Sequence, residues 1–371
     1  MGLLIRPYFF PHQGQFGMNR LQEVEYKHSQ LKQLLERHGA DALWVRRTRN
    51  LAWLTAGADA SIPADAELGV YSAIVTRDQR ILFTNNIEAP RLRAEENFES
   101  LGFDFSEYPW YAPQEPHHAN LITDDGAVEA DMQTLRWVLN EAEQARFRQL
   151  GQDTARAIES AARKVQKGMS EFEISGLLAE SARQQGGLAV VNLVAVDERI
   201  STFRHPLPTT KRLEKTAMLV ICMRREGLVC AATRFVSLGP VDEALQGKLR
   251  KIATIDASAM EASRVGRTLE QVLTDIQAAY AAQGEDGQWQ YHHQGGLIAY
   301  NSRERVARPG DETVLQAGQA CAWNPSIVGC KSEDTILLHA TGYEIVTQGD
   351  YPSITVEVGG RAIQRPAILV L

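Results

Sequence analysis

Long apolar runs are missing from this chain of 371 residues. No stretch of 18 or more apolar residues occurs, which excludes a transmembrane helix. Positive charge is not in excess either: a net charge of −7 and a pI near 5.8 argue against nucleic acid or an anionic membrane surface as a partner. Cysteine is scarce. Cys222, Cys230, Cys321 and Cys330 sit in apolar, strand-like runs without CxxC spacing, so they read as reduced core thiols of a cytoplasmic protein. The opening MGLLIRPYFFPHQGQFG has neither the unbroken apolar segment nor the small-residue cleavage site of a secretory signal. Residues 1–17 therefore read as a loosely ordered leader, with Met18 an equally good start. Repeats and low-complexity segments are absent. What remains is an ordinary globular composition, 44% apolar and 23% charged, at a length that suggests two domains.

Charges and spaced leucines over 19–39 predict a helix that stops at Gly39. DALWV, YSAIVT and RILFTN read as strands, with a turn around RRTRN followed by NLAWLTAG. That alternation predicts an α/β domain over 18–138. From 139 to 371 the pattern changes to two long periodic helices, a hairpin (TAMLVICMRREG into LVCAATRFVSLG), helices near 241–264 and 268–283, and a strand-rich end. This predicts an α+β domain with a curved antiparallel sheet.

The stretch HHQGGLIAYNSRE, 292–304, is not a phosphate loop, because no strand–GxxxxGK–helix context surrounds it. Its glycines are expected to let the backbone pass close to a ligand or a neighbouring strand. His292 or His293 is expected to reach a substrate, the other being structural. A lone His205 in STFRHPLPT, a hairpin ending in Thr233-Arg234, then HHQGG, WNPSIVG and SEDTILL follow one another along the chain. That order resembles the pita-bread superfamily of creatinase, aminopeptidase P and prolidase (peptidase family M24) over residues 20–350.

The resemblance implies a creatinase-type N-terminal domain, a pita-bread catalytic-type domain, and a homodimer in which the N-domain of one subunit lies near the site of the other. Asn50, Trp53, Arg91 and Arg93 would then be the residues it brings. In the peptidases of this superfamily two Asp, one His and two Glu hold two metal ions. Here the second Asp position is Ala231, and the first falls at Val220, or at Cys222 if the hairpin is shortened. The His position is Gly296 and the first Glu position is Asn324, so Glu333 alone matches the pattern. Segments 216–223, 227–238 and 318–329 contain no Asp, Glu or His to replace them. By strand alternation Cys230, Cys321 and Cys330 should point away from the site. No metal or other cofactor is expected.

Creatinase works without metal, and the resemblance to it gives the remaining residues roles. His205 would be the general acid/base, as a histidine with near-neutral pKa can be. Arg303 would bind a substrate carboxylate through its planar fork. Glu333 would hold the water or the substrate NH groups. His292, His293, Trp323, Asn324, Ser326 and Thr233 would line the pocket. Thr233 stands where creatinase has a glutamate, which argues against creatine. The reading is a metal-independent, creatinase-like hydrolase that cleaves a C–N bond in a small carboxylate-bearing substrate. Two alternatives stay open: an Xaa-Pro-type peptidase with a rebuilt or single-metal site, and a non-catalytic peptide- or metabolite-binding module.

Overall fold

The computed structural model describes residues 18–371, so the leader read above lies outside the described residues. The chain forms two units, one running to Arg136 and taking in 141–143, the other holding 137–140 and everything from Gln144.

In the first unit, Asn19 and Gln22 form a reciprocal capping box that starts the helix Arg20–His38, and Gly39 ends it in the left-handed conformation. Its buried Val24, Leu31, Leu34 and Leu35 recur at helical spacing. The sheet is mixed, in the order Asp104–Tyr108, Arg80–Asn85, Leu68–Thr76, Ala42–Arg47 and Leu121–Thr123. One local expectation fails: the turn around RRTRN is instead a helix, Thr48–Leu54. Its Asn50 is buried and donates to Asp124 at 2.9 Å and Glu129 at 2.6 Å. Those partners lie more than 70 residues away in the chain, beyond the reach of a local pattern.

The second unit carries, beside two two-stranded sheets, two larger ones. One runs Ile368–Val370, Leu228–Ser237, Thr216–Arg225, Leu188–Val196, and the other Arg305–Val306, Gly295–Ile298, Ala320–Trp323, Asp334–His339, Gly342–Ile345. The helices Glu243–Ala262 and Leu269–Ala282 contribute Ile252, Ile255, Val272 and Ile276 to a core that also takes Leu297, Cys321, Trp323, Ile336 and Leu338 from the second sheet. The sheets meet where the Thr233 N–H donates to the Glu333 carbonyl at 3.0 Å and the Ala231 N–H donates to Thr335 Oγ1 at 2.9 Å. That seam puts residue 333 beside residue 233, and the site forms there.

The glycine pair in HHQGG serves strand packing. Gly295 (φ 106°) faces the strand Ala320–Trp323, and Gly296 (φ 149°) faces Arg305–Val306. A Cβ on Gly296 would overlap the Arg305 carbonyl oxygen. Gly296→Ala should therefore destabilise the protein by at least about 1–3 kcal/mol, read by urea unfolding; an unchanged midpoint would contradict the close approach. The same overlap means that a histidine cannot be restored at 296 by substitution alone.

Candidate active site

The hairpin between the first sheet's central strands turns on Glu226 and Gly227, both at positive φ, with Arg225 and Leu228 paired beside them. This is a two-residue connection. Cys222 therefore faces Ala231 directly, and Val220 faces Thr233. The shortened hairpin makes Cys222, not Val220, the partner of Ala231. Cys222 is buried, with Glu333 and Arg303 close enough to act on its thiol electrostatically. The expectation of four core thiols needs correcting there: Cys321 and Cys330 lie in the apolar core, but Cys222 faces the site. Burial pushes its thiol up to about 11, so it is neutral and a poor nucleophile.

Glu333 is buried and accepts from three sides. Arg303 Nη2 lies 2.8 Å from Oε1, Thr233 Oγ1 donates to Oε2 over 2.8 Å, and Lys331 Nζ lies 3.2 Å from Oε2. Burial alone would raise the carboxyl's pKa, but Lys331 and Arg303 outweigh it and hold it down to about 2. Three donors leave a carboxylate little capacity for a water or a substrate NH. The catalytic role expected for Glu333 therefore narrows to fixing two cations. Arg303 donates from Nη1 to the Ser302 carbonyl at 2.6 Å, and its Nε is buried without a partner. Two of its five N–H groups are thus engaged and three remain.

The histidines converge from two segments. Gln294 pins the turn before the strand Gly295–Ile298, donating to the Trp289 carbonyl at 2.9 Å and accepting from Tyr280 at 2.9 Å. This brings His292 Nε2 within 2.9 Å of His205 Nε2, while His292 Nδ1 sits 3.2 Å from Ser326 Oγ. The His205 loop is tied to this turn by Arg204, which donates to Gln288 over 2.7 Å. His293 also joins: its ring centroid is 4.7 Å from that of His292 and 5.7 Å from that of His205. Both adjacent histidines thus lie in the same cluster of rings. Desolvation, followed by the nearby cations, lowers all three pKa values: His205 below its usual value, His293 to about 4, and His292 well below the usual range. At neutral pH all three are uncharged imidazoles.

That shift carries a stability prediction. His292 and His293 take up protons in the unfolded chain near pH 6.5 but not in the folded one, so folding stability rises with pH across this window. The thermal midpoint in chelated buffer should fall as pH drops from 6.5 towards about 4, and His293→Asn should flatten the slope. An equal slope in the variant would assign the effect elsewhere.

Other expected site residues are placed differently. Trp323 is fully buried in the core, its indole N–H donating to Ser263 Oγ at 2.8 Å, so it is no pocket wall. Asn324, next in the chain, is also buried, with its Oδ1 unpaired. In the first unit, Arg91 pairs with Glu88 at 3.3 Å and Arg93 with Glu107 at 2.8 Å. Trp53 and Asn50 are buried within that unit and cannot serve another subunit's site. Lys331 was not anticipated. It is buried two residues before Glu333, and same-face alternation would have found it.

Among the described residues, no helix is long and apolar enough to cross a membrane. Residues 145–340 match the family model for metallopeptidase family M24, and residues 27–185 match that for the creatinase/prolidase N-terminal domain. An uncharacterized peptidase of Staphylococcus aureus (strain MW2) is 21% identical over 347 residues, covering 84% of this chain and 96% of its own length. The prolidase of Pyrococcus horikoshii OT3 superposes with a TM-score of 0.72 at 17% identity, covering 88% of this chain and 99% of that one. An Xaa-Pro dipeptidase from Bacillus anthracis gives 0.69 at 16% identity, covering 94% of this chain and 100% of that one. These superpositions carry the pita-bread fold, with an α/β N-terminal and an α+β C-terminal part.

Proposed function

The chain belongs to metallopeptidase family M24, and from that premise we propose that it hydrolyses a C–N bond in a small carboxylate-ended substrate without the family's two-ion centre. The donor set does not fit two ions: Cys222, Ala231, Gly296 and Asn324 stand at four of the five ligand positions, and only Glu333 keeps a carboxylate there. Neither alanine nor glycine offers a donor atom, and the Cys222 thiol is held protonated.

The observation that carries the substrate class is the charge count. Arg303 and Lys331 both face Glu333, and the three imidazoles beside them are neutral, so one positive charge is in excess in a largely buried place. An anion is favoured there, and the three remaining N–H groups of Arg303 suit a planar carboxylate. His205 Nε2 is engaged with His292, which leaves Nδ1 to take a proton from the attacking water. The water oxygen bonds to the substrate carbon, the C–N bond breaks, and His205 returns the proton to the leaving nitrogen. Short Xaa-Pro dipeptides are the first candidates, since they end in a carboxylate and the B. anthracis relative in fold carries that name.

The test is amine release from Xaa-Pro dipeptides and from small N-acyl and amidino carboxylates, using protein dialysed against chelator. Hydrolysis that survives chelation supports the proposal; hydrolysis that needs added manganese, cobalt or zinc overturns its metal-independent part. A second reading, a peptidase with one rebuilt metal site, is favoured by the three clustered imidazoles and predicts that second result.

A further inference from the structure

We propose that His205, His292 and His293 together bind one divalent transition-metal ion, displaced from the family's two-ion position, and that this ion inhibits the enzyme rather than activating it. One ligand nitrogen from each ring lies within 4.8 Å of those from the other two. Three imidazoles with an open fourth position suit zinc, nickel or copper(II). Two further observations point to a ligand. His293 Nδ1 is buried without a hydrogen-bond partner, and an orphaned ring nitrogen of this kind is satisfied by an ion or a water. His292 also has the support that a metal-binding histidine needs: Ser326 Oγ at its Nδ1 can accept the ring proton and leave the Nε2 lone pair free.

The geometry requires a small adjustment. Ligand nitrogens about 2.0–2.1 Å from a tetrahedral ion lie roughly 3.3 Å apart, whereas the His205 and His292 nitrogens are 2.9 Å apart. His205 stands on an exposed loop and can open that gap by a few tenths of an ångström, while His293 swings inward. Charge sets a limit on affinity. Arg303 and Lys331 repel a cation, and Glu333 offsets only one of them. Binding should therefore be weaker than at a site without those cations.

The inhibition follows from the tautomer rule. A neutral imidazole has one lone pair and one N–H. An ion that takes the lone pair at His205 Nε2 leaves Nδ1 as N–H, and that nitrogen can no longer accept a proton from water. The inhibitory half rests on the proposed hydrolysis; the binding half stands whatever the chain hydrolyses.

Binding is read without substrate, by the visible absorption of added cobalt(II) and by calorimetry with zinc on the full chain stripped by chelator. One ion per chain is expected, with His293→Ala and His205→Ala each weakening it at least about tenfold, and Ser326→Ala weakening it about 10- to 100-fold. His339→Ala, remote from the cluster, should leave the affinity unchanged, and Lys331→Met should raise it. Absence of a cobalt band, or an affinity unchanged in both His293→Ala and His205→Ala, would overturn the site. Should His293→Ala fail to fold, His205→Ala at its exposed position decides alone. In the turnover assay, zinc should inhibit with the same midpoint as it binds; activation by zinc at that midpoint would overturn the inhibitory half and favour the single-metal peptidase.

Discussion

Replacing His205 by alanine is expected to lower turnover about 10²- to 10⁴-fold and to leave the thermal midpoint unchanged. The two halves come from different facts. His205 is exposed, on a loop that Arg204 also ties down, so removing the imidazole costs little packing. Its contact with His292 is to a buried ring that keeps Ser326 on the other nitrogen, so His292 remains oriented. Substrate affinity should change little, because the excess positive charge belongs to Arg303 and Lys331. The pH profile gives an independent reading. Partial desolvation of the ring, followed by the Lys331 charge, lowers the His205 pKa below its usual value near 6.5, so the wild-type protein should keep its activity below that pH, and the residual rate of the variant should lose this acid limb. A variant that turns over like the wild type would remove His205 from the chemistry. A variant that loses substrate binding in proportion to rate would make the histidine a binding group instead.

Much of this site could be read from the sequence, because the order of motifs survives where the ligands do not. His205 meets His292, and Arg303 and Thr233 both meet Glu333. The failures have physical causes. Strand alternation turns Trp323 into the core for the same reason that it turns Cys321 there, since the two are separated by an even step and Asn324 by an odd one. Lys331 shares a face with Glu333 by the same rule. Cys222 was ambiguous because hairpin register depends on turn length, and only the two-residue turn at Glu226-Gly227 settles it. The Thr48–Leu54 helix was hidden for a different reason: its buried Asn50 is satisfied by acids far along the chain. The meeting of His293 with His205 depends on the Gln294–Tyr280 tie, also a long-range contact.

Asp334→Ala is expected to destabilise the protein by about 3–5 kcal/mol, the largest stability loss from any single side chain near the site. Glu333 and Asp334 are neighbours, so alternation sends them to opposite faces of the strand. Asp334 lies on the helix side, where Oδ1 pairs with Arg234 at 3.0 Å and accepts from Thr347 at 2.7 Å, and Oδ2 pairs with Arg365 at 2.8 Å. All three charged side chains are 2% exposed or less. Without Asp334, Arg234 would keep only two carbonyls and a distant Glu159 at 3.9 Å. Arg365 would keep Asp256, whose carboxyl burial pushes up to about 6 and which is therefore a weak counter-charge in mildly acidic buffer. A cavity of about 50 Å³ beside Arg234, Tyr351 and Arg365 lets water reach the freed guanidinium groups, which favours the lower end of the range. Guanidinium chloride unfolding measures the loss, and the pH profile of the folded variant separates structure from chemistry. Because Asp334 bonds Arg234, Thr347 and Arg365 rather than the histidines, the acid limb assigned to His205 should remain in Asp334→Ala. A shifted limb would mean that the two faces are coupled through the strand, and the division of labour between Glu333 and Asp334 would fail.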